Sequence, residues 1–212
     1  MLTLAICDDH FLFRSGIVSV IRKFTNFHIL SDVSSGEELI CLLESGMIPD
    51  VILLDISMPN GMNGYEASRQ ISLKFPDVKV IGLSAYDNEL AELGMIMSGA
   101  KGFLPKTIGH ETLAAAIIQI AEGNHCCIRN KQVAYFPINE HPARHWINTL
   151  TRREMEVAKL MCSGMPYKQI ASLLNISVNT LENTRTRIFE KMNCASRTEV
   201  AYFILGTGLL TT

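Results

Sequence analysis

The amino-acid sequence predicts an α/β doubly wound domain with a five-stranded parallel sheet, followed by a small all-α domain. Across the first 122 residues, short apolar runs rich in β-branched residues alternate five times with longer amphipathic stretches. This rhythm is typical of βα units in a parallel sheet. From residue 148 onward, every candidate element has the apolar spacing of a helix. A length of 212 residues accommodates two small domains.

The strands are predicted from apolar runs, and the helices from apolar residues that share one face. Residues 51–54, Val-Ile-Leu-Leu, are apolar at consecutive positions, as expected for a strand covered by helices on both faces of a sheet. The predicted strands cover residues 2–7, 28–33, 51–55, 78–84 and 101–104. The predicted helices of this domain cover residues 11–24, 35–44, 64–75, 88–97 and 111–122.

Residues 123–147 interrupt the alternation. They contain two prolines and three histidines without a sustained period, which is typical of a linker. The predicted organisation is therefore an α/β domain over residues 1–122, a linker over residues 123–147 and a helical domain over residues 148–212.

The helical domain carries signals for a pair of helices joined by a tight turn. Thr151 precedes Glu154 by three positions, close to the capping box that begins a helix. Ser177 is placed to cap a later helix over residues 178–192, which carries Arg185 and Arg187. This pattern is typical of a helix-turn-helix whose second helix enters the major groove of DNA. A helical bundle whose charges are merely solvated is the alternative that spacing alone leaves open.

The net charge of −2 conceals two oppositely charged parts. Residues 1–123 hold 8 Lys and Arg against 15 Asp and Glu, net −7, whereas residues 124–212 hold 11 against 6, net +5. An acidic part favours a cation as ligand, and a basic part favours an anionic polymer. Hydrophobic residues make up 48% of the chain and charged residues 19%, which argues against a disordered chain or a coiled coil.

The sequence predicts a cytoplasmic protein without a membrane segment. Its N-terminus lacks the basic start and long apolar run of a secretory signal. Residues 113–121, an apolar-rich stretch, are too few for the roughly 18 residues that span a bilayer. Six cysteines without CxxC pairs favour reduced thiols.

Three carboxylates are predicted to meet at one edge of the sheet. Asp8 and Asp9 follow the first strand and Asp55 ends the third, and parallel strands bring their carboxyl ends to the same edge. Such carboxylates repel one another unless a divalent cation bridges them, and Mg²⁺ with its oxygen ligands is the physiological match. The alternative to a metal site, when each residue is considered singly, is that Asp9 caps the following helix and Asp55 simply ends a strand.

A hydroxyl and an ammonium group are predicted at the same edge. Ser84 ends the fourth strand and Lys106 follows the fifth, and this combination suits phosphoryl transfer. The chain here resembles the receiver domain of bacterial two-component response regulators. The segments that carry the resemblance are Cys7-Asp-Asp-His10, Leu54-Asp-Ile-Ser-Met-Pro59, Leu83-Ser-Ala85, Gly99-Ala-Lys-Gly-Phe103 and Lys106.

The resemblance implies a flavodoxin-like fold and a role for each residue of the edge. The implied roles are phosphoacceptor for Asp55, Mg²⁺ ligands for Asp8, Asp9, Asp55 and the Ser57 backbone carbonyl, phosphoryl contacts for Ser84 and Lys106, and a switch for Phe103. Three features depart from the family pattern, and the first is Ser84, which stands where Thr is commoner but keeps the hydroxyl. The loop after Asp55 has one extra residue at 60–61, which is expected to alter Mg²⁺ affinity or phosphate lifetime. Pro105 restricts the backbone conformation of Leu104 and is expected to redirect Lys106.

The helical domain resembles the LuxR-type helix-turn-helix. The segments that carry the resemblance are Leu150-Thr-x-Arg-Glu154, Glu156-Val157, Gly164-Met165, Lys168-x-Ile-Ala171, Leu174, Ile176-Ser177, Thr180-Leu181, Lys191-Met192 and Ser196-Arg197. Over nearly its whole length, the chain therefore resembles a NarL/FixJ-type response regulator. The implied DNA-binding residues are Lys168, Glu182, Asn183, Arg185, Thr186 and Arg187, and the implied dimerisation residues are Val200, Ala201 and Ile204.

The resemblance implies a transcription regulator, not an enzyme that turns over an external substrate. A sensor histidine kinase phosphorylates Asp55 in this hypothesis, and the chain then binds promoter DNA as a homodimer, with RNA polymerase as a further candidate partner. The chain is also expected to catalyse its own phosphorylation and dephosphorylation. One alternative is a DNA-binding protein whose receiver no longer accepts phosphate. Another is a phosphohydrolase with Asp55 as nucleophile, but Ser57 occupies the position where such enzymes need a second acid.

Overall fold

The computed structural model describes residues 1–85, 89–129, 132–137 and 149–206. The five strands predicted for the first domain form and are parallel. They are β1 (Leu2–Cys7), β2 (Phe27–Val33), β3 (Val51–Asp55), β4 (Lys79–Ser84) and β5 (Gly102–Pro105). The helices that follow them are α1 (Phe11–Ile21), α2 (Gly36–Glu44), α3 (Gly64–Lys74), α4 (Glu89–Met97) and α5 (His110–Ala121). The strand order β2-β1-β3-β4-β5 confirms the predicted doubly wound fold.

Alternate residues of β3 face opposite layers of helices. Leu53 packs in one apolar cluster with Ile17 of α1 and Ile117 of α5. Leu54 packs in a second cluster that includes Leu39 of α2. Because side chains alternate across a strand, the apolar run of β3 is buried on both faces of the sheet.

A hairpin extends the sheet where the sequence predicted a linker over residues 123–147. Strands β6 (Asn124–Arg129) and β7 (Gln132–Pro137) are antiparallel, and Cys126 of β6 pairs in parallel with Gly102 of β5. The linker prediction is therefore corrected for these two segments. The hairpin gives β5 a partner and moves the edge of the sheet from β5 to β7.

The described part of the helical domain begins at residue 149 and contains the predicted helix pair. Its helices are α6 (Arg152–Met161), α7 (Tyr167–Leu173), α8 (Val178–Met192) and α9 (Arg197–Gly206). The capping box is present, because Thr151 Oγ1 accepts a hydrogen bond from Glu154 N at 3.2 Å and Glu154 Oε2 accepts one from Thr151 N at 2.8 Å. Among the helices described here, none is both long and apolar enough to cross a membrane.

Helix α9 packs against both domains. Leu93 of α4 is fully buried in the same apolar cluster as Val200 of α9. The Tyr202 hydroxyl donates a hydrogen bond to the Cys126 backbone carbonyl at 3.2 Å, and the Tyr202 ring meets the His125 ring edge-on, with centroids 4.9 Å apart. The two domains are therefore joined by direct contacts of α9 with α4 and with the hairpin.

Candidate functional site

The carboxyl ends of β1 and β3 bring the predicted acidic residues together. Cys7 and Leu54 are partners in the parallel register, so Asp8 and Asp55 lie side by side one residue further on. Asp8 is 0% exposed and Asp55 is 1% exposed, whereas Asp9 keeps 27% of its side chain accessible. These three residues were predicted to meet at one edge of the sheet, and the structure brings them together there.

Lys106 reaches into this acidic cluster from the end of β5. Its Nζ atom lies 2.7 Å from Asp8 Oδ2 and 2.9 Å from Asp55 Oδ2, and 4.6 Å from the centre of the Phe13 ring. Pro105 pairs with Ser84 at the last position of the β4–β5 ladder. Pro105 thus ends the strand without turning Lys106 away, which corrects the expectation that it redirects the lysine.

Burial and charge act against each other in the cluster. Burial raises the pKa of Asp55, Lys106 opposes this with a hydrogen bond, and the charge of Asp8 raises the pKa further. Burial lowers the pKa of Lys106, but its bonds to Asp8 and Asp55 outweigh that effect and leave the pKa raised. One ammonium group faces three carboxylates, so the cluster retains an excess of negative charge that a cation would relieve.

The ligand atoms of the cluster suit a divalent cation. One ligand atom each from Asp8, Asp9, His10 and Asp55 lies within 4.8 Å of the others. Ser57 follows two residues after Asp55, and its backbone N–H donates to Asp55 Oδ1 at 3.1 Å. Carboxylate and carbonyl oxygens are the ligands of hard divalent ions. The residues present therefore fit a metal ion at this position.

The loop with the extra residue at 60–61 is anchored from α2. Gly61 has a φ of +116°, and Met62 N donates a hydrogen bond to Glu37 Oε1 at 2.6 Å. Gly64 then begins α3 directly against the strand, because a Cβ there would lie 2.2 Å from the Asp55 carbonyl oxygen. The backbone that carries Asp55 is thus held by a close approach that requires glycine at position 64.

Ser84 and Phe103 occupy neighbouring strands of the sheet. Ser84 ends β4 and is 5% exposed, and its carbonyl accepts a hydrogen bond from Lys106 N at 2.6 Å. Phe103 of β5 is fully buried and packs in the cluster that contains Met95 of α4. The side chain predicted as a switch therefore lies between the sheet and the helix that contacts α9.

The predicted DNA-binding residues lie on or beside α8. Side chains of four of them are exposed on this helix, and a fifth is exposed on α7. These are Glu182, Asn183, Thr186 and Arg187 on α8 and Lys168 on α7. Arg185 differs from them, since it is partly buried and its guanidinium lies 5.2 Å from the Tyr167 ring centre and 5.8 Å from that of Phe189. Arg187 is thus the more accessible of the two arginines.

Two charged side chains of the helical domain make structural contacts that the sequence did not predict. Arg197 is 1% exposed and donates hydrogen bonds to the carbonyls of Met161 and Met165, the latter at 2.8 Å. Lys191 lies 2.7 Å from Glu154 Oε2 and so joins α8 to α6. The sequence shows only that these residues are charged, and nothing in their spacing distinguishes them from solvated positions.

The predicted dimerisation face is covered within the chain. Val200, Ala201 and Ile204 are each 0% exposed, and they pack in one cluster with Leu93 of α4 and Val157 of α6. The prediction assumed that the apolar face of α9 is left for a second copy. The structure corrects this for the present conformation, in which α4 and α6 cover that face.

Models of two protein families match the two domains of the chain. A model of the response regulator receiver domain matches residues 4–118, and a model of the luxR family of bacterial regulatory proteins matches residues 148–204. The chain belongs to the response regulators of the NarL/FixJ type, with a receiver domain and a LuxR-type DNA-binding domain. This confirms the predicted family and the predicted role in DNA-binding transcription regulation.

Individual relatives match nearly the whole chain. The transcriptional regulatory protein DegU of Brevibacillus brevis is 34% identical over 213 residues, which cover 92% of this chain and 89% of DegU. The oxygen regulatory protein NreC of Staphylococcus epidermidis is 31% identical over 216 residues, with 98% of each chain covered. These relatives are similar over both domains.

Solved structures show the same architecture. The receiver domain of the response regulator NarL from Mycobacterium tuberculosis is 28% identical, with a TM-score of 0.54, and it covers 57% of this chain and 97% of its own. A complex of the response regulator RcsB with DNA is 20% identical, has a TM-score of 0.56 and covers 97% and 98% of the two chains. The second likeness concerns the fold alone.

Proposed function

We propose that a sensor histidine kinase phosphorylates Asp55 and that this modification controls dimerisation and promoter binding. The observation that carries the proposal is the position of Asp55, buried beside Asp8 with the Lys106 ammonium 2.9 Å from its Oδ2. A carboxylate nucleophile, an acidic cation site and an ammonium group are the parts that phosphoryl transfer requires. The degenerate-receiver alternative is not favoured, because these reacting groups converge.

Each residue of the cluster has a task in this reaction. The Asp55 carboxylate attacks the phosphorus atom of a phosphohistidine, the bond from phosphorus to the imidazole nitrogen breaks, and an acyl phosphate forms. Lys106 exchanges its contact with Asp55 for a phosphoryl oxygen, and the Ser84 hydroxyl donates to another. Asp8, Asp9, Asp55 and the Ser57 carbonyl would hold Mg²⁺. When bound, this ion supplies positive charge that offsets the charge on the phosphoryl oxygens.

Phosphorylation is linked to DNA binding through α4. The phosphoryl group replaces one negative charge by about two and adds three acceptor oxygens. Ser84 ends β4, and the chain then leads to α4, whose Leu93 covers the apolar face of α9. A shift of α4 towards the modified site would uncover Val200 and Ile204. A second copy can then pack on α9 and form the homodimer.

The dimer would place two copies of α8 in successive major grooves of promoter DNA. In the proposed complex Glu182, Asn183 and Thr186 face base edges, and Glu182 accepts a hydrogen bond from cytosine N4. Lys168 and Arg187, both exposed, meet phosphates, which position the protein without specifying sequence. The RcsB–DNA complex supports this arrangement at the level of the fold. RNA polymerase is a further candidate partner, and the cytoplasm is the proposed site of action.

The first step is tested by incubating the intact protein with acetyl phosphate and Mg²⁺ and measuring its mass. Wild type is expected to gain one phosphoryl group and Asp55→Ala none. Asp77→Ala, which removes an exposed aspartate after α3, serves as the matched control and should be labelled like wild type. Equal labelling of wild type and Asp55→Ala contradicts the proposal.

A further inference from the structure

His10 lies at the mouth of the acidic cluster. Its Nδ1 atom is 2.8 Å from Asp9 Oδ1, 3.6 Å from Asp8 Oδ1 and 3.9 Å from Asp55 Oδ2. Two ligands on opposite sides of a metal ion are about 4 Å apart, since each bond is about 2 Å long. The spacing of the His10 nitrogen from these three carboxylates is therefore close to that of ligands of a common ion.

The imidazole of His10 is tethered at its backbone and accessible at its ring. The His10 backbone N–H donates to Asp8 Oδ1 at 2.8 Å, which fixes the main chain beside the cluster. His10 also precedes α1 without making a side-chain capping bond to that helix, and 67% of its side chain is exposed. A small rotation of the ring can thus replace the contact with Asp9 by a bond to a metal ion.

An imidazole changes which ion the cluster prefers. Mg²⁺ binds oxygen ligands and has little preference for nitrogen, whereas first-row transition-metal ions bind imidazole well and in the Irving–Williams order. A neutral imidazole adds a donor without adding a charge. His10 therefore strengthens the binding of a transition-metal ion and leaves the binding of Mg²⁺ nearly unchanged.

We propose that His10, Asp8, Asp9 and Asp55 form a site for a divalent first-row transition-metal ion that competes with Mg²⁺. The inference rests on the proposed function in one respect, since it uses the same carboxylates as the Mg²⁺ site. It goes beyond that function by making metal identity depend on His10, a residue to which the proposed phosphoryl transfer assigns no role. The receiver would then respond to the metal ions present as well as to its kinase.

Titration of the intact, tag-free protein with Co²⁺ and, separately, with Mg²⁺ tests the inference. Co²⁺ is followed by its visible absorption, which changes when a nitrogen ligand joins the ion, and Mg²⁺ by calorimetry. His10→Ala is expected to lower Co²⁺ affinity by about 10-fold or more and Mg²⁺ affinity by less than about 2-fold. His10→Asn, which offers an amide oxygen, should behave like His10→Ala towards Co²⁺.

Two control variants locate the effect. His28→Ala removes another exposed histidine, at the opposite end of the sheet in β2, and should leave both affinities unchanged. Asp9→Asn should lower the affinity for both Co²⁺ and Mg²⁺. Thermal unfolding of the metal-free variants checks that each is folded.

Three results separate this inference from the proposed function. Equal losses of Co²⁺ and Mg²⁺ affinity in His10→Ala, or no loss of either, overturn the inference. If acetyl phosphate labelling with Mg²⁺ is normal in that case, the proposed function stands. A Co²⁺ affinity that depends on His10 in a protein that acetyl phosphate does not label supports the inference and counts against the proposed function.

Discussion

The acidic cluster of the receiver buries its charges, whereas helix α8 carries its polar and charged side chains on the surface. Asp8 and Asp55 are buried at strand ends and face the Lys106 ammonium. Asn183 and Arg187 of α8 are exposed on a helix surface. The first group is held in place by the sheet before any ligand arrives, whereas the second group acts on contact with a partner.

This difference determines what each region responds to. Water cannot screen the buried carboxylates, so their excess negative charge makes the cluster sensitive to an added cation or phosphoryl group. Exposed side chains are already solvated, so in the proposed complex α8 gains free energy only from the groups that DNA presents. The contact of α4 with α9 lies between the two regions and is where a change in one can reach the other.

The largest expected loss of stability comes from a substitution in the backbone that holds the acidic cluster. Gly64→Ala should lower the free energy of unfolding by about 4 kcal/mol or more, because its Cβ would lie 2.2 Å from the Asp55 carbonyl oxygen. Urea unfolding measures this loss. Gly16→Ala is the control, since a Cβ there meets nothing within 4 Å and should stabilise α1 by about 1 kcal/mol. A Gly64→Ala protein as stable as wild type would refute the close approach.

The helical domain also contains a buried charge, which limits the contrast between the two regions. Arg197→Met should cost about 3 kcal/mol of unfolding free energy, because the carbonyls of Met161 and Met165 would lose their donor while buried. Chemical denaturation measures the change. Arg152→Met, at an exposed position of α6, is the matched control and should have little effect. Similar stability of the two variants would show that Arg197 is not a structural residue.

Substitutions of exposed residues on and beside α8 are expected to weaken DNA binding without changing the phosphorylation of the receiver. Asn183→Ala should weaken binding to a promoter site by about 2 kcal/mol through the loss of a base contact. Lys168→Ala should weaken binding to all sequences and reduce the slope of affinity against salt by about one. Filter binding over a range of salt concentrations distinguishes the two. Unchanged binding by Asn183→Ala, with acetyl phosphate labelling intact, would remove this face from the proposed DNA contact.

Substitution of Glu154 is expected to have the smallest effect on stability. This carboxylate belongs neither to the acidic cluster nor to α8. The hydrogen bond from Lys191, followed by those from Thr151, lowers the pKa of Glu154 to about 2. Its stabilising effect should be complete above the unfolded pKa of about 4.3 and disappear as pH falls towards 2. Glu154→Gln is expected to cost about 1 kcal/mol at pH 6. Thermal unfolding of both proteins from pH 6 to pH 2 should show the difference shrinking, and a constant difference would contradict this origin.

The sequence predicted the parts of the site that depend on strand order. Asp8 and Asp55 converge because parallel strands share an edge, a property that follows from the periodicity of the apolar runs alone. The capping box at Thr151 was likewise predictable from residues three positions apart. Local patterns of this kind are sufficient wherever the interacting groups belong to neighbouring elements.

Long-range contacts explain what the sequence did not predict. Nothing in residues 124–129 shows that they pair with β5, because a strand at the margin of a sheet takes its stability from its neighbour. The apolar face of α9 can meet a second copy or α4, and the pattern of Val200 and Ile204 is the same in both cases. The position of Lys106, which faces Asp8 and Asp55 despite Pro105, likewise depends on the pairing of β4 with β5.

In the proposed function, phosphorylation of Asp55 is transmitted to α8. Its most direct test is the affinity of the intact protein for genomic DNA fragments that it selects, measured before and after treatment with acetyl phosphate and Mg²⁺. Treatment is expected to raise the affinity of wild type by about 5-fold to 150-fold, the usual range of coupling between two sites, and to leave the affinity of Asp55→Ala unchanged. Equal affinities of treated and untreated wild type, or the same rise in Asp55→Ala, would contradict it.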